Sequence, residues 1–351
     1  MGVGIGVMVL PILAFLSPIE VGIFNWFEWL CRMFEKLPGH TLLVGRPAMW
    51  KILIYYGLIL VIVWYRKEHM IKVRIGCLSI ALFLLLFQFP KDSQVYCLDI
   101  GQGDCFIVRT KENKCFLFDG GSSSRRNVGE KVIVPFLQYH GIGELEGVFL
   151  SHGDTDHVNG VLQILEKDLM DVNQVFLPDV QDEALEQLEK RLKALGDLQV
   201  QRVQKADAWK LDGFTLECLY PSKSVRGESN EISACYLLRR EGFSMLFTGD
   251  VEGEGERYLI QELQRRNIEA VDVLKVSHHG SMNSTSDELL QQIRSRVAII
   301  SCGRNNPYGH PHAETLKRLE KMGCTVWTTP KSGRIAINAE KRSVDGYLEG
   351  E

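Results

Sequence analysis

Cysteine pairs are the first thing this sequence lacks. None of the nine cysteines in its 351 residues stands in a CxxC spacing, so a zinc ribbon has no foothold. Seven cysteines fall after residue 90, an odd number, so no complete disulfide framework is indicated and free, buried thiols are expected. Short repeats and low-complexity tracts are missing too, which sets repeat architectures aside. No uncharged stretch reaches the ~20 residues that a membrane-crossing helix usually needs, although residues 2–16, 52–65 and 75–89 come close. The first of these has no charged leading segment and no small-x-small cleavage site, which argues against a secretory signal.

What is present divides near Pro90. Residues 1–89 carry eight Lys/Arg and four acids, leaving 32 basic and 40 acidic residues in 90–351, a net of −8. Lys51 and Arg74 can extend the second and third apolar runs by snorkelling, and Trp50, Trp64 and Tyr65 stand at interfacial positions. Residues 1–90 therefore read as a membrane segment with about three transmembrane helices, against the alternative of buried core helices. The loop 66–74 holds four basic residues, which by the positive-inside rule lies in the cytoplasm. Residues 17–48 and everything after Pro90 then lie outside. Phe24, Trp26, Phe27, Trp29, Leu30 and Phe34 fit either an amphipathic helix on the membrane surface or an ordinary packed helix.

Residues 91–351 alternate short β-like and helical patterns. Strands are expected at 94–100, 105–110, 114–118, 147–151, 175–178, 199–203, 214–219, 233–239, 243–248, 271–277, 297–301, 325–328 and 334–338. Helices are expected near 129–139, 158–166, 182–195, 254–266, 284–294 and 312–322. Interleaved helices and hairpins of this kind predict an α/β fold, two packed sheets with helices outside, an αββα sandwich.

The densest chemical signal is Ser151-His152-Gly153-Asp154-Thr155-Asp156-His157-Val158-Asn159-Gly160, at the end of one strand and the start of a helix. Two imidazoles and two carboxylates crowded together call for a cation between them rather than for packing. Asp119, Asp250 and the pair His278-His279 stand at the ends of other predicted strands, each beside a glycine that permits a tight turn.

The order Asp119, His152-x-Asp154-x-Asp156-His157, Asp250, His278 resembles the metallo-β-lactamase superfamily. The segments LDIGQGDCFIV (98–108), FDGG (118–121), SHGDTDHVNG (151–160), LFTGD (246–250), LKVSHHGS (274–281) and YGHP (308–311) are similar to the soluble C-terminal domain of the ComEC family of DNA-uptake proteins. VGRPAMWKILIYYGLIL (44–60) resembles the end of that family's channel region, and the chain is shorter than the family's members, like a C-terminal piece. The resemblance implies one or two divalent ions, Mn or Zn. His152 and Asp154 would hold one, Asp156, His157 and His278 a second, and Asp250 would bridge, with Asp156 and Asp250 also catalytic. Asp119 would orient His157 or His278 from behind. His279 would be a neighbour, since adjacent strand residues face opposite ways.

Two departures from the superfamily pattern matter. Asp154 stands where many members have His, and no His occurs from 158 to 277. The corresponding stretch is 228–233, where Asn230 would be a weak ligand. The three-His site of β-lactam hydrolysis is thereby excluded, and the oxygen-rich donors favour Mn²⁺ over Zn²⁺. His310 would contact a phosphate or protonate the leaving oxygen, unless it is simply a turn residue.

The implied function is competence: DNA uptake at the bacterial cell membrane, with an extracytoplasmic phosphodiesterase that degrades the strand not imported. Its partners would be DNA, the membrane and the rest of the uptake channel. The alternatives are a channel scaffold without hydrolase activity, and a hydrolase of small phosphorylated or lipid-like molecules. The acidic balance of 90–351 opposes DNA binding unless local patches such as Arg125-Arg126, Arg239-Arg240 and Arg265-Arg266 compensate.

Overall fold

A computed structural model of the chain describes residues 17–34, 36, 43–64, 71–87, 91–223, 225, 227 and 229–347. The apolar run 2–16, the basic stretch 66–70 and Glu228 lie outside the described residues. Two compact units are present, Met1–Val44 and Gly45–Glu351. The division falls at Val44 rather than at residue 90 because the chain after it is tied to the sandwich. The Arg46 N–H, for example, donates to the Tyr139 carbonyl at 2.9 Å.

In the first unit, α1 (Ser17–Phe34) is a helix that exposes Phe24, Trp26, Phe27 and Trp29. In the second, α2 (Met49–Trp64) and α3 (Ile71–Leu86) pack on each other and expose Leu53, Leu60, Val63, Ile75, Ile80 and Phe83. Among the described residues, no helix is long and apolar enough to cross a membrane. At 1.5 Å per residue, the 16 residues of α2 and of α3 reach about 24 Å, short of the ~30 Å hydrocarbon core.

The rest is the expected sandwich. Strands β1 (Gln94–Cys97), β2 (Phe106–Arg109), β3 (Cys115–Phe118), β4 (Glu144–Leu145), β5 (Gly147–Phe149), β6 (Asp171–Val172), β7 (Gln174–Pro178) and β8 (Gln199–Val203) come first. Strands β9 (Ala208–Leu211), β10 (Phe214–Tyr220), β11 (Cys235–Arg240), β12 (Phe243–Phe247), β13 (Val273–Lys275), β14 (Val297–Ile300), β15 (Thr325–Thr328), β16 (Arg334–Asn338) and β17 (Ser343–Tyr347) follow. One sheet runs β17-β16-β1-β2-β3-β5-β7-β8, the other β15-β14-β13-β12-β11-β10-β9. Each sheet joins an antiparallel part to a parallel part, with β3, β5, β7 and β8 parallel in one and β12 to β15 parallel in the other. Strands β9 and β17, short and largely exposed, carry too little alternation to be read from sequence.

Helices α4 (Val134–Tyr139), α5 (Thr155–Glu166) and α6 (Glu183–Lys193) cover the first sheet through Ile133, Leu137, Val161, Ile164, Leu185 and Leu192. Helices α7 (Gly253–Arg265), α8 (Asp287–Ile293) and α9 (Ala313–Lys321) cover the second through Leu259, Leu263, Leu289, Ile293 and Leu319. Between the sheets lies an aromatic stack. Phe118 meets Phe247 at 4.4 Å and Phe149 at 5.0 Å, and Phe149 meets Phe176 at 4.3 Å. Each such pair contributes about 0.5–1.5 kcal/mol beyond its burial. Phe118, Phe149 and Phe247 sit at the ends of β3, β5 and β12, so the stack fixes the places from which Asp119, Ser151 and Asp250 emerge.

Candidate metal centre

The run after β5 turns straight into α5, and its side chains enter one buried cluster. Asp154 is the N-cap of α5, yet its carboxylate caps no helix N–H, although an N-cap Asp ordinarily accepts one. It leans instead to His152 Nε2 at 3.5 Å and accepts from Ser229 Oγ at 2.8 Å, remaining half-exposed at the rim. Two glycines let the loops close on α5. A Cβ on Gly121 would lie 2.6 Å from the Thr155 carbonyl oxygen, and one on Gly103 would lie 2.1 Å from the Gly121 oxygen. These contacts bring Asp104 and Asp119 beside Asp156 and His157.

Each buried imidazole is held by its Nδ1. His152 Nδ1 is 2.9 Å from Ser151 Oγ, His157 Nδ1 is 3.0 Å from Asp119 Oδ2, and His279 Nδ1 is 3.0 Å from the Ser301 carbonyl. Their Nε2 atoms are buried and, among the described residues, have no hydrogen-bond partner. They point instead toward carboxylates. His157 Nε2 stands 3.2 Å from Asp250 Oδ2, and His279 Nε2 stands 3.4 Å from both Asp250 Oδ2 and Asp156 Oδ2. Nδ1 anchored on an oxygen with Nε2 left free is the arrangement a metal-binding histidine needs. Ligand atoms of His152, His157 and Asp250, and of Asp156, His157 and His279, lie within 4.8 Å of one another.

The structure brings together His152, Asp154, Asp156, His157 and Asp250, with Asp119 behind His157. His278 and His279 exchange the places expected of them. Ser277–Gly280 forms a tight turn in which both are left-handed, φ 45° and 52°. His278 turns away, its Nδ1 3.0 Å from Glu252 Oε2 and 3.4 Å from Asn230 Nδ2, while His279 is buried in the cluster. Strand alternation ends at β13, so parity counted from the apolar run does not reach His278. Asn230 accordingly contacts Glu252 and His278. His310 stands at the rim, Nδ1 3.4 Å from Gln102 Nε2 and its ring 5.4 Å from that of His278. Burial, with His278 and His279 adding to it, lowers its pKa to about 4. Neutral at physiological pH, the ring can donate one N–H to a phosphate oxygen but holds no ready proton for a leaving oxygen.

Two residues escaped sequence reasoning. Asp104 is fully buried, its Oδ2 against Lys275 Nζ and its Oδ1 3.5 Å from His279 Nδ1. Lys275 is also buried, its Nζ 3.2 Å from Asp250 Oδ1 and bonded to the Gly249 carbonyl. Burial opposes the ammonium, but Asp104 and Asp250 outweigh it and hold Lys275 charged. A lysine at the end of an apolar strand, Val273-Leu274-Lys275, was the available signal.

The electrostatics follow. Burial raises the carboxyl of Asp250, but His279, His157 and Lys275 outweigh it and hold it well below the ordinary range. Burial likewise opposes the imidazolium of His279, yet Asp250 and Asp104 raise its pKa to about 9. His157 is raised in the same way by Asp250 and Asp119. Asp104, Asp119, Asp154, Asp156 and Asp250 set five carboxylates against one ammonium, so with neutral imidazoles the cluster carries a surplus of four negative charges. Two divalent cations match that surplus, and the mixed nitrogen and oxygen donors suit such ions.

Residues 98–304 match the sequence profile of the Metallo-beta-lactamase superfamily. The chain belongs to that superfamily. Its members are generally metal-dependent hydrolases. The chain is 29% identical over 348 residues to ComE operon protein 3 of Bacillus subtilis, covering 91% of this chain and 44% of that protein. It is 34% identical over 275 residues to Recombination protein 2 of Haemophilus influenzae, covering 78% of this chain and 32% of that protein. The chain thus spans less than half the length of these relatives. Among solved structures, CmlA, a diiron beta-hydroxylase from Streptomyces venezuelae, superposes with a TM-score of 0.50 at 14% identity, covering 74% of this chain and 57% of that one. That likeness concerns the fold.

Proposed function

We propose that this chain serves DNA uptake in bacterial competence, and that its sandwich is a metal-dependent phosphodiesterase that cuts DNA, degrading the strand that is not imported. The observation that carries the catalytic part is a set of three buried Nε2 atoms without hydrogen-bond partners among the described residues, those of His157 and His279 turned to Asp250 and that of His152 to Asp154. The competence part rests on the relatives in Bacillus subtilis and Haemophilus influenzae, and on Competence protein ComA of Neisseria gonorrhoeae, 30% identical over 246 residues. One or two divalent ions, Mn or Zn, would be held by His152, Asp154, Asp156, His157, Asp250 and His279, His279 taking the role first expected of His278. Such ions would supply an activated water and stabilise the oxygens of an in-line phosphoryl displacement.

The chain's own residues do the rest. Asp119 and the Ser301 carbonyl fix the rings of His157 and His279 so that each Nε2 faces the centre. Lys275 holds one oxygen of Asp250 and leaves Oδ2 turned to the histidines. His310, at the rim beside Gln102 and His278, orients the incoming phosphodiester by donating a ring N–H to a phosphate oxygen.

The full chain in detergent, given Mn²⁺ and single- or double-stranded DNA, is expected to cut DNA, and both EDTA and Asp250→Ala to abolish cutting. No cutting with metal shown to be bound contradicts the nuclease reading. Membrane attachment with the sandwich outside the cytoplasm belongs to the same proposal. The exposed apolar faces of α2 and α3 support it, since large exposed apolar surface marks a membrane or protein contact. A cysteine placed in 66–74, with Cys31, Cys77 and Cys324 removed, is expected to resist labelling from outside whole cells. Labelling there overturns the orientation.

A further inference from the structure

The acidic balance of residues 90–351 leaves open where a polyanion would lie, and the structure narrows the choice. Two of the three Arg pairs in the sequence are held in ion pairs. Arg239 pairs with Glu217 and Arg240 with Glu340, while Arg265 and Arg266 share Glu262. Arg125 differs. It lines a groove of about 830 Å³ together with Lys131, Arg304, Arg334, Tyr139 and Tyr347. Asp99, the one acid in the lining, pairs with Arg125 at 3.3 Å. Among the described residues, no carboxylate lies within 4 Å of the charged ends of Lys131, Arg304 or Arg334, and Arg334 Nε is buried with no hydrogen-bond partner. Uncompensated cations in an otherwise acidic domain attract an anion. The aromatics say which kind. Tyr347 is 49% exposed, with the Arg334 guanidinium 4.6 Å from its ring centroid, so its free surface can receive a flat, unpaired base.

The groove is tied to the metal centre through Gln102. Its carbonyl accepts from the Ser123 N–H at 2.8 Å, and its N–H donates to Ser124 Oγ at 2.8 Å. Its Oε1 accepts from the Gly303 N–H at 3.1 Å, and its Nε2 lies 3.4 Å from His310 Nδ1. Ser124 and Gly303 immediately precede Arg125 and Arg304. The segment 99–104 therefore has Asp99 in the groove at one end and Asp104 in the cluster at the other.

We infer that this groove binds single-stranded nucleic acid, its phosphates on Lys131, Arg304 and Arg125 and a base against Tyr347, and leads the strand toward the centre. The inference rests on nucleic acid being the substrate proposed above. The test measures binding of fluorescein-labelled dT20 to the full chain in detergent with EDTA, by anisotropy at several salt concentrations. Lys131→Glu/Arg304→Glu, a change at two exposed side chains, is expected to weaken binding at least tenfold. It should also flatten the salt dependence by about 1.4 in slope, at about 0.7 per phosphate contact on a single strand. Tyr347→Ala is expected to weaken binding by about tenfold, with the circular dichroism spectrum unchanged. Unchanged dT20 affinity in the double variant overturns the proposal. So does loss of binding to phosphatidylglycerol vesicles with dT20 affinity intact, which would make the groove a membrane contact. A chain that binds dT20 through the groove but never cuts it sinks the nuclease reading alone. A chain that cuts DNA while the variant binds dT20 equally well sinks the groove alone.

Discussion

The two sheets furnish the metal centre in different ways. The first delivers His152, Asp154, Asp156 and His157 in one burst where β5 turns into α5, and sets Asp119 and Asp104 behind them. The second delivers its groups singly: Asp250 past β12, Lys275 at the tip of β13, and His279 as the second of two consecutive left-handed residues. The first contribution is local, four ligands within six residues. The second depends on a turn whose backbone angles are costly for non-glycine residues, typically 1–3 kcal/mol each, and on a buried ion pair.

That contrast can be broken at Lys275, where the largest effect is expected. Removing one partner of a buried charge pair typically costs 3–5 kcal/mol. Lys275→Met should therefore lower unfolding stability by about that much in denaturant titration, and adding Asp104→Leu should recover a good part of it. A loss below about 1 kcal/mol would mean that Asp104 and Asp250 do not need the ammonium. On the first sheet the expected effect is smaller. Asp119→Asn keeps the shape but weakens the hold on His157 Nδ1, and should reduce Mn²⁺ affinity by about 10–100-fold. Calorimetric titration giving parent affinity would remove Asp119 from the account.

The gentlest probe is pH. With no metal bound, the pKa of His279 is raised from 6.5 to about 9 in the folded chain. A group raised on folding stabilises fully below its unfolded value and loses that contribution as pH rises through the folded one. His157 shifts in the same direction. The Tm of EDTA-treated protein should thus fall between pH 6.5 and 9. Mn²⁺ should counter the fall, because metal replaces the protons and binds better as they leave. A Tm that rises across this window without metal would contradict the charge assignment.

The same contrast explains what the sequence disclosed. The sandwich was legible because its buried strands are apolar runs closed by Gly and polar turns, as in Cys115–Phe118 before Asp119-Gly120-Gly121. The run 151–160 was legible because four ligands, two His and two Asp, stand within six residues. Asp104 and Lys275 were not, since a lone Asp in Gly-Asp-Cys and a lone Lys in an apolar strand acquire meaning only when the two sheets meet. The choice between His278 and His279 turned on the backbone after Lys275. Lys275 faces the centre, and so does His279, four residues on. Strand alternation stops at Lys275, so the turn at 277–280 and not parity carries His279 to the centre. Strand β17 and the groove beside it were invisible for another reason. Lys131, Arg304 and Arg334 are far apart in sequence and form a patch only when β16 and β17 close the sheet edge.

The most direct measurement compares Mn²⁺ binding by His279→Ala and His278→Ala, each as the full chain, with circular dichroism to verify folding. The account predicts that His279→Ala loses at least tenfold in affinity or one equivalent of metal, while His278→Ala binds like the parent. Loss in His278→Ala with binding intact in His279→Ala would contradict it.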